Sequence, residues 1–493
     1  MSRRVTRRVL LARSAIAAAG LATLGGPLGR LARAAPASKV QVDDFEDGPS
    51  SGPVTRGPRP LPSGATHVGI HWRGEGHRTA TAAARIYQPT GGWSEWVDLT
   101  IDDDPFGEEE TFTSLLDVRG ASAVQYRIAV AHDRRLERSV VTAIAADAPR
   151  ATRLLVSDAH AAGPSGSFTT LDNRARPILT REDWGCDEAL GMKADGARIW
   201  PAMFVPTKKL VVHHTATTNS YTDGAAEVRA IYVYHAKTKG WGDIGYNALV
   251  DRFGNVYEGR RGRATTPREI ISTGTVAGHC LRHNYGTTGI AVIGDFTKRK
   301  LSASNQNDQA MLAALDDLTV WECGRARMPA NGSSEFLRSD DLWHANMPTI
   351  TGHKDSQSTI CPGTSLMSYV TSTLRTNAAT RLAKSVTTSC TVTRSTSSHE
   401  VAAPVSVTFT WNGSAERSEW RLEGWRKINA DDIEYWTPGG WVTTEPNGWA
   451  TAAASGQASF AGLTPGHYTF HVRSYDSAGK LSAVEANDTI LGR

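Results

Sequence analysis

The spacing of apolar positions divides the chain into three regions. Between residues 63 and 148, short runs such as HVGIHW, TAAARIYQ, WSEWVDL, AVQYRIAV and SVVTAIAA are broken by Gly, Pro and acidic turns. That spacing predicts an antiparallel β-domain. Over residues 177–388 strands and helices mix. Residues 208–214 form an apolar strand ending in His213-His214, and Asp223 is placed to cap an amphipathic helix running to about residue 238. YNALVD and NVYEGR flank Arg252-Phe253-Gly254 as a hairpin, and residues 288–294 form a buried strand. Met311, Leu312, Leu315 and Leu318 recur at helical spacing within 307–324, and a third helix is predicted over 365–383. From residue 391 to 493 the pattern returns to β-runs, including SVTFTWNG, SEWRLEGW and HYTFHVRSYDS. No repeat relates the two β-regions.

Two stretches lack periodicity. Residues 38–62, rich in Pro, Gly, Ser and Asp, predict a flexible tether, and residues 149–176, with AAGPSGSF, a linker. The N-terminus has a different character. Residues 1–37 place basic residues before a weakly apolar, Ala/Gly-rich stretch that ends in small residues, the layout of an export signal. Thr6-Arg7-Arg8-Val9-Leu10-Leu11 resembles the twin-arginine signal, and cleavage is expected near Ala34 or Ala37. The expectation is a secreted, cell-wall-associated protein.

Composition narrows the classes. At 493 residues with 40% hydrophobic and 21% charged side chains, the chain has material for several cores, and wholesale disorder is excluded. The net charge of +4 is too small to indicate a nucleic-acid binder, and seven arginines lie within residues 1–34, without which it would be −3. Five cysteines are too few for a disulfide-dense scaffold, and no apolar run after the leader is long enough to span a bilayer. Trp93 and Trp96 could offer a sugar platform, although their spacing suits ordinary sheet side chains better.

Three residues of the middle region have the chemistry of a zinc site. They are His213 at its strand end, and His353 and Cys361 within GHKDSQSTICPG. Zinc accepts imidazole and thiolate together, and three protein ligands leave a fourth position for water. Strand alternation sends His213 and His214 to opposite faces, so one can meet a cleft while the other packs. Spacing alone does not join these residues.

VVHHTAT, GWGDIGYNALVDRFGNVYEGR, GTTGIAVIGDF and GHKDSQSTICPG occur in this order, and over roughly residues 177–385 they resemble the zinc amidase family that includes peptidoglycan recognition proteins and N-acetylmuramoyl-L-alanine amidases. The resemblance implies a mixed sheet flanked by helices with one Zn2+ in a groove. It implies His213, His353 and Cys361 as ligands, with His214 excluded. It implies Tyr246 as a catalytic residue donating a hydrogen bond, Thr359 as a second hydroxyl at the reaction centre, and His279 as a groove residue meeting substrate, the alternative for His279 being a structural histidine satisfied within the fold. Asn284 and Asp355 are expected to fix loops. GLTPGHYTFHVR, at 462–473, resembles the closing strands of a fibronectin type III sandwich.

The implied activity is cleavage of the amide between N-acetylmuramic acid and L-alanine of bacterial peptidoglycan. The alternative is a recognition protein that binds muropeptides without cutting them, a branch in which the ligand cysteine is typically replaced. Cys361 favours the enzyme. Both β-regions are expected to position the enzyme on wall polymer or on another protein. With Cys361 on metal, Cys186, Cys280, Cys323 and Cys390 could form up to two disulfides or remain thiols.

Overall fold

The structure is a computed structural model that describes residues 41–75, 79–102, 110–147, 164–264, 268–340, 342–384, 390–395, 405–413, 416–426, 432–444, 446, 448–475 and 481–491. The export signal expected over 1–37 lies outside these residues. Among the described helices none is long and apolar enough to cross a membrane.

The N-terminal region closes as two antiparallel sheets. One runs in the order Gln41–Asp47, Arg135–Ala145, His67–Gly74, Thr111–Thr113, Ile101–Asp102, and the other Val54–Pro60, Ala123–Ala129, Thr81–Tyr87, Val97–Leu99. Alternate residues of both sheets, among them Val68, Ile70, Trp72, Val124, Tyr126 and Ile128, fill the space between them with no exposed surface. The tether expected over 38–62 is corrected here. Gln41–Asp47 pairs along its whole length with Arg135–Ala145, and Val54–Pro60 pairs with Ala123–Ala129. Both are edge strands, where polar residues and prolines are tolerated because one side of the backbone needs no partner. Trp93 and Trp96 lie against this domain's surface, with the Arg85 guanidinium 5.1 and 4.8 Å from their rings.

The central region is a seven-stranded mixed sheet in the order Gly166–Thr169, Ala175–Leu179, Val256–Glu258, Ala248–Val250, Thr287–Val292, Lys209–His214, Ile350–Gly352. Its first strand falls inside the linker expected over 149–176, and its second, Ala175–Leu179, begins there. They pair antiparallel, Gly166 opposite Ile178, so the central domain begins well before residue 177. Helix Gln306–Ala326 and the helical run from Thr364 to Lys384 cover one face, with Met311, Leu315, Leu318, Leu366 and Leu374 against Leu210, Val212 and Ile290. Helix Gly224–Val233 covers part of the other face; Asp223 caps it by accepting from the Ala226 amide at 3.1 Å.

The N-terminal sandwich is joined to this helix by a continuous core. Phe112, Leu115, Ile144 and Ala146 pack in one cluster with Tyr221, Val228, Tyr232 and Tyr234. Gly69 leaves room for the Tyr234 ring, since a Cβ there would sit 2.3 Å from Tyr234 Cε2. His67, Asp117 and Glu227 could in principle hold a metal. Glu227, however, already accepts from His67 Nε2 and Arg119 Nη1, each at 3.0 Å, which makes the group a hydrogen-bonded bolt between the domains.

The C-terminal region is also a sandwich. Cys390–Arg394, Val405–Gly413 and Gly456–Leu463 form one sheet, and Gly440–Val442, Glu434–Thr437, Arg417–Arg426, Gly466–Tyr475 and Leu481–Leu491 the other. Phe409, Trp411, Leu422, Phe460 and Phe470 form its core. Among the described residues, no disulfide joins Cys186, Cys280, Cys323 and Cys361 to one another.

Candidate metal centre

Alternation along Lys209–His214 turns Leu210 and Val212 toward the long helices, so His213 emerges on the opposite face. The neighbouring strand Ile350–Gly352 leads into a tight turn that carries His353, and the loop after it returns Cys361 beside His213. The ligand-capable atoms of His213, His353 and Cys361 lie within 4.8 Å of one another, and all three residues are buried. Cys361 Sγ is 3.6 Å from His213 Nδ1. His214 stays on the other side, with Nδ1 accepting from the Phe296 amide at 3.3 Å.

Hydrogen bonds fix which nitrogen of each ring is free. Gln357 Nε2 donates to the Leu281 carbonyl at 2.8 Å, so its Oε1, 2.7 Å from His353 Nε2, accepts from that ring nitrogen. His353 is left with an unprotonated Nδ1. The Thr287 hydroxyl donates to the His283 carbonyl at 2.6 Å and thus accepts from His279 Nε2 at 3.2 Å. His279 Nδ1 must then accept from His213 Nε2 at 3.0 Å, which leaves His213 Nδ1 as a lone pair facing the cysteine. Burial supports these neutral forms. It holds His213 well below the ordinary imidazole range, with His353 and His279 adding to the effect, and pushes His353 to about 4 and His279 to about 3. Two neutral imidazoles and a thiol are a donor set suited to a soft or borderline divalent ion.

His279 lines the cleft, and both its ring nitrogens are engaged within the protein, Nδ1 with His213 and Nε2 with Thr287. Asn284 Oδ1 accepts from the amides of His279 and Cys280, each at 2.9 Å, and Asp355 accepts from Thr351 Oγ1 at 2.7 Å beneath the His353 turn. Both fix loops.

Tyr246 is half-buried in the same cleft, its ring centroid 5.5 Å from that of His213. Its loop is pinned by Asp243, which accepts from Arg181 at 2.9 Å and Arg260 at 2.6 Å. Thr359 also lines the cleft; its oxygen accepts from the Cys361 amide at 3.2 Å, so its hydrogen remains available to donate.

Three cleft or orienting residues escape a reading of the sequence. His235 lies in a wide turn, Tyr234–Thr238, with its ring 5.7 Å from Tyr246 and Nδ1 accepting from the Gly245 amide at 3.1 Å. Its position four residues after Ile231 and three after Tyr232 puts it on the helix's buried stripe, a usable signal. Gln357 is one turn beyond His353. Asp102 comes from the N-terminal sandwich and lines the cleft with Thr100 and Ser114, and nothing in its sequence context announces it.

A family model described as N-acetylmuramoyl-L-alanine amidase matches residues 203–364. Mouse peptidoglycan recognition protein 1 is 31% identical over 169 residues, 34% of this chain and 75% of that protein. The chain belongs to this amidase and recognition-protein family. The human N-acetylmuramoyl-L-alanine amidase is 30% identical over 166 residues, 33% of this chain but only 23% of its own length. Among solved structures, bumblebee PGRP-SA covers 40% of this chain and 95% of its own at 24% identity, with a TM-score of 0.30. The family therefore occupies the central domain, and both sandwiches lie outside the matched span.

Proposed function

We propose that the chain is a zinc-dependent N-acetylmuramoyl-L-alanine amidase that hydrolyses the amide joining the muramic lactyl group to L-alanine. The observation that carries this reading is the pairing of Cys361 with His213. A tetrahedral zinc with sulfur at about 2.3 Å and nitrogen at about 2.05 Å holds the two donors about 3.6 Å apart. Cys361 Sγ and His213 Nδ1 are 3.6 Å apart. His213, His353 and Cys361 would hold the ion.

Bound zinc supplies Lewis acidity and a coordinated water whose pKa falls to about 7. The remaining work belongs to the chain. Tyr246 donates its phenolic hydrogen to the scissile carbonyl oxygen as that atom gains negative charge, and Thr359 adds a second hydroxyl. His235 backs the loop that carries Tyr246. His279 and Gln357 keep the two ligand histidines in the tautomers that face the cleft.

The substrates are muropeptides of bacterial peptidoglycan. Export by the twin-arginine route would deliver the folded protein to the wall. The C-terminal sandwich is read as fibronectin type III-like, supported by Tyr468, whose hydroxyl donates to the Thr464 carbonyl at 2.8 Å in the manner of a tyrosine corner.

Cys361→Ser tests the reading through bound zinc and mass-spectrometric analysis of digested peptidoglycan. The wild type should carry one zinc per chain and release free stem peptides, and the variant should do neither. Amide cleavage retained by a zinc-free variant would overturn the mechanism, and muropeptide binding by wild type without cleavage would make the chain a recognition protein.

A further inference from the structure

The cleft that holds the histidine and cysteine trio is not built by the central domain alone. Thr100, Ile101, Asp102 and Ser114, all from the N-terminal sandwich, line it together with Tyr246 and Cys361. Ile101 and Asp102 form a strand paired antiparallel with Thr111–Thr113, and Thr100 and Ser114 flank that pair, the Ser114 amide donating to the Thr100 carbonyl at 2.8 Å. Their position is fixed by the shared core around Phe112 and Tyr234, by the close approach at Gly69, and by the hydrogen bonds of His67 and Arg119 to Glu227.

Asp102 is the chemically distinctive member. Its Oδ2 is 2.5 Å from Lys239 Nζ, and Lys239, wholly buried, lies 4.6 Å from the Trp241 ring and 5.1 Å from that of Phe112. The ammonium sits beneath two aromatic rings and holds the carboxylate in place. The Asp102 side chain keeps 31% of its surface exposed, and among the described residues its Oδ1 has no hydrogen-bond partner. A fixed acceptor is thus presented to whatever enters beside the trio.

We propose that the N-terminal β-sandwich forms one wall of the substrate cleft, and that Asp102, held by Lys239, accepts hydrogen bonds from N–H groups of the muramyl peptide. Such a peptide presents several donors close to the bond to be cut: the acetamido N–H of the sugar and the amide N–H groups of the stem. A preorganised acceptor discriminates among them because a ligand without a donor at that point leaves a partly buried carboxylate unsatisfied. This wall is a specificity element added to the family's groove, and it rests on the amidase reading for the identity of the ligand.

The test uses the full zinc-loaded chain and a soluble N-acetylmuramoyl tripeptide, with Kd measured calorimetrically alongside KM and kcat. Asp102→Asn keeps an oxygen for Lys239 and replaces the free acceptor by a donor. Ser114→Trp fills the wall without touching the ion pair. Zinc content and Tm are measured for each as controls on folding. The expected result is a rise of tenfold or more in Kd and KM for both variants at unchanged zinc stoichiometry. Unchanged Kd in both overturns the proposal. A wild type that binds the tripeptide but does not cleave it defeats the amidase reading and leaves this one standing, since Kd alone then decides it.

Discussion

His213 Nε2 lies 3.0 Å from His279 Nδ1, and through that contact a histidine 66 positions along the chain decides which nitrogen of His213 faces Cys361. His279→Leu removes the acceptor and lets His213 take the other tautomer. Apparent zinc affinity should fall about 10- to 100-fold, as loss of an orienting partner typically does. Gln357→Leu should act similarly on His353, whereas Gln357→Glu keeps the acceptor and should retain the metal. Competition with a chelating dye measures all three.

Tyr246→Phe removes one hydroxyl from the cleft and leaves the ring packed beside His213 and His235. Its kcat should fall about 10²- to 10³-fold, the usual cost of one oxyanion donor. Zinc content and Tm should be those of the wild type. Single-turnover assays on a soluble muropeptide give the comparison.

Asp243 makes the Tyr246 loop sensitive to acid. Burial raises its pKa, but Arg181 and Arg260 more than offset this, and the carboxyl stays below its ordinary value in the folded chain. Because the folded value is the lower one, the stabilisation is complete above the unfolded value of about 3.9 and is lost as pH falls toward the folded one. Asp243→Asn leaves two buried guanidiniums short of a counter-charge and should cost about 3–5 kcal/mol at neutral pH. Urea unfolding from pH 3 to 7 should show a shallower acid limb for the variant than for wild type.

Gly69→Ala places a Cβ against the Tyr234 ring at the seam between the N-terminal sandwich and the helix Gly224–Val233. Overpacking of this kind costs about 1–3 kcal/mol. Calorimetry should show a lower Tm, and the wild type should melt both domains together.

Much of the central domain could be read from the chain. Strand 209–214 declares itself by an apolar run, the helix starting at Gly224 by Asp223, and the long helix by Met311, Leu315 and Leu318. The trio became legible only through ordered motifs, because His213 and Cys361 meet by strand pairing across 148 positions. The strands Gln41–Asp47, Val54–Pro60 and Gly166–Thr169 were hidden by composition. Edge strands bury few side chains, so Pro, Gly and Asp cost little there, and local sequence resembles a linker. Asp102 was hidden for a different reason: its place in the cleft follows from domain docking, which leaves no periodic trace.

The core shared by Phe112, Ile144, Tyr221 and Tyr232 also bears on how the protein can be divided. The span that the family model matches, 203–364, omits two strands of its own sheet and every N-terminal residue of that core. Excised at those limits, the fragment would expose an open sheet edge and an apolar face made for Phe112 and Ile144, both prone to self-association. The unit recognised by similarity is smaller than the unit that folds, and soluble expression should require a chain beginning near residue 41.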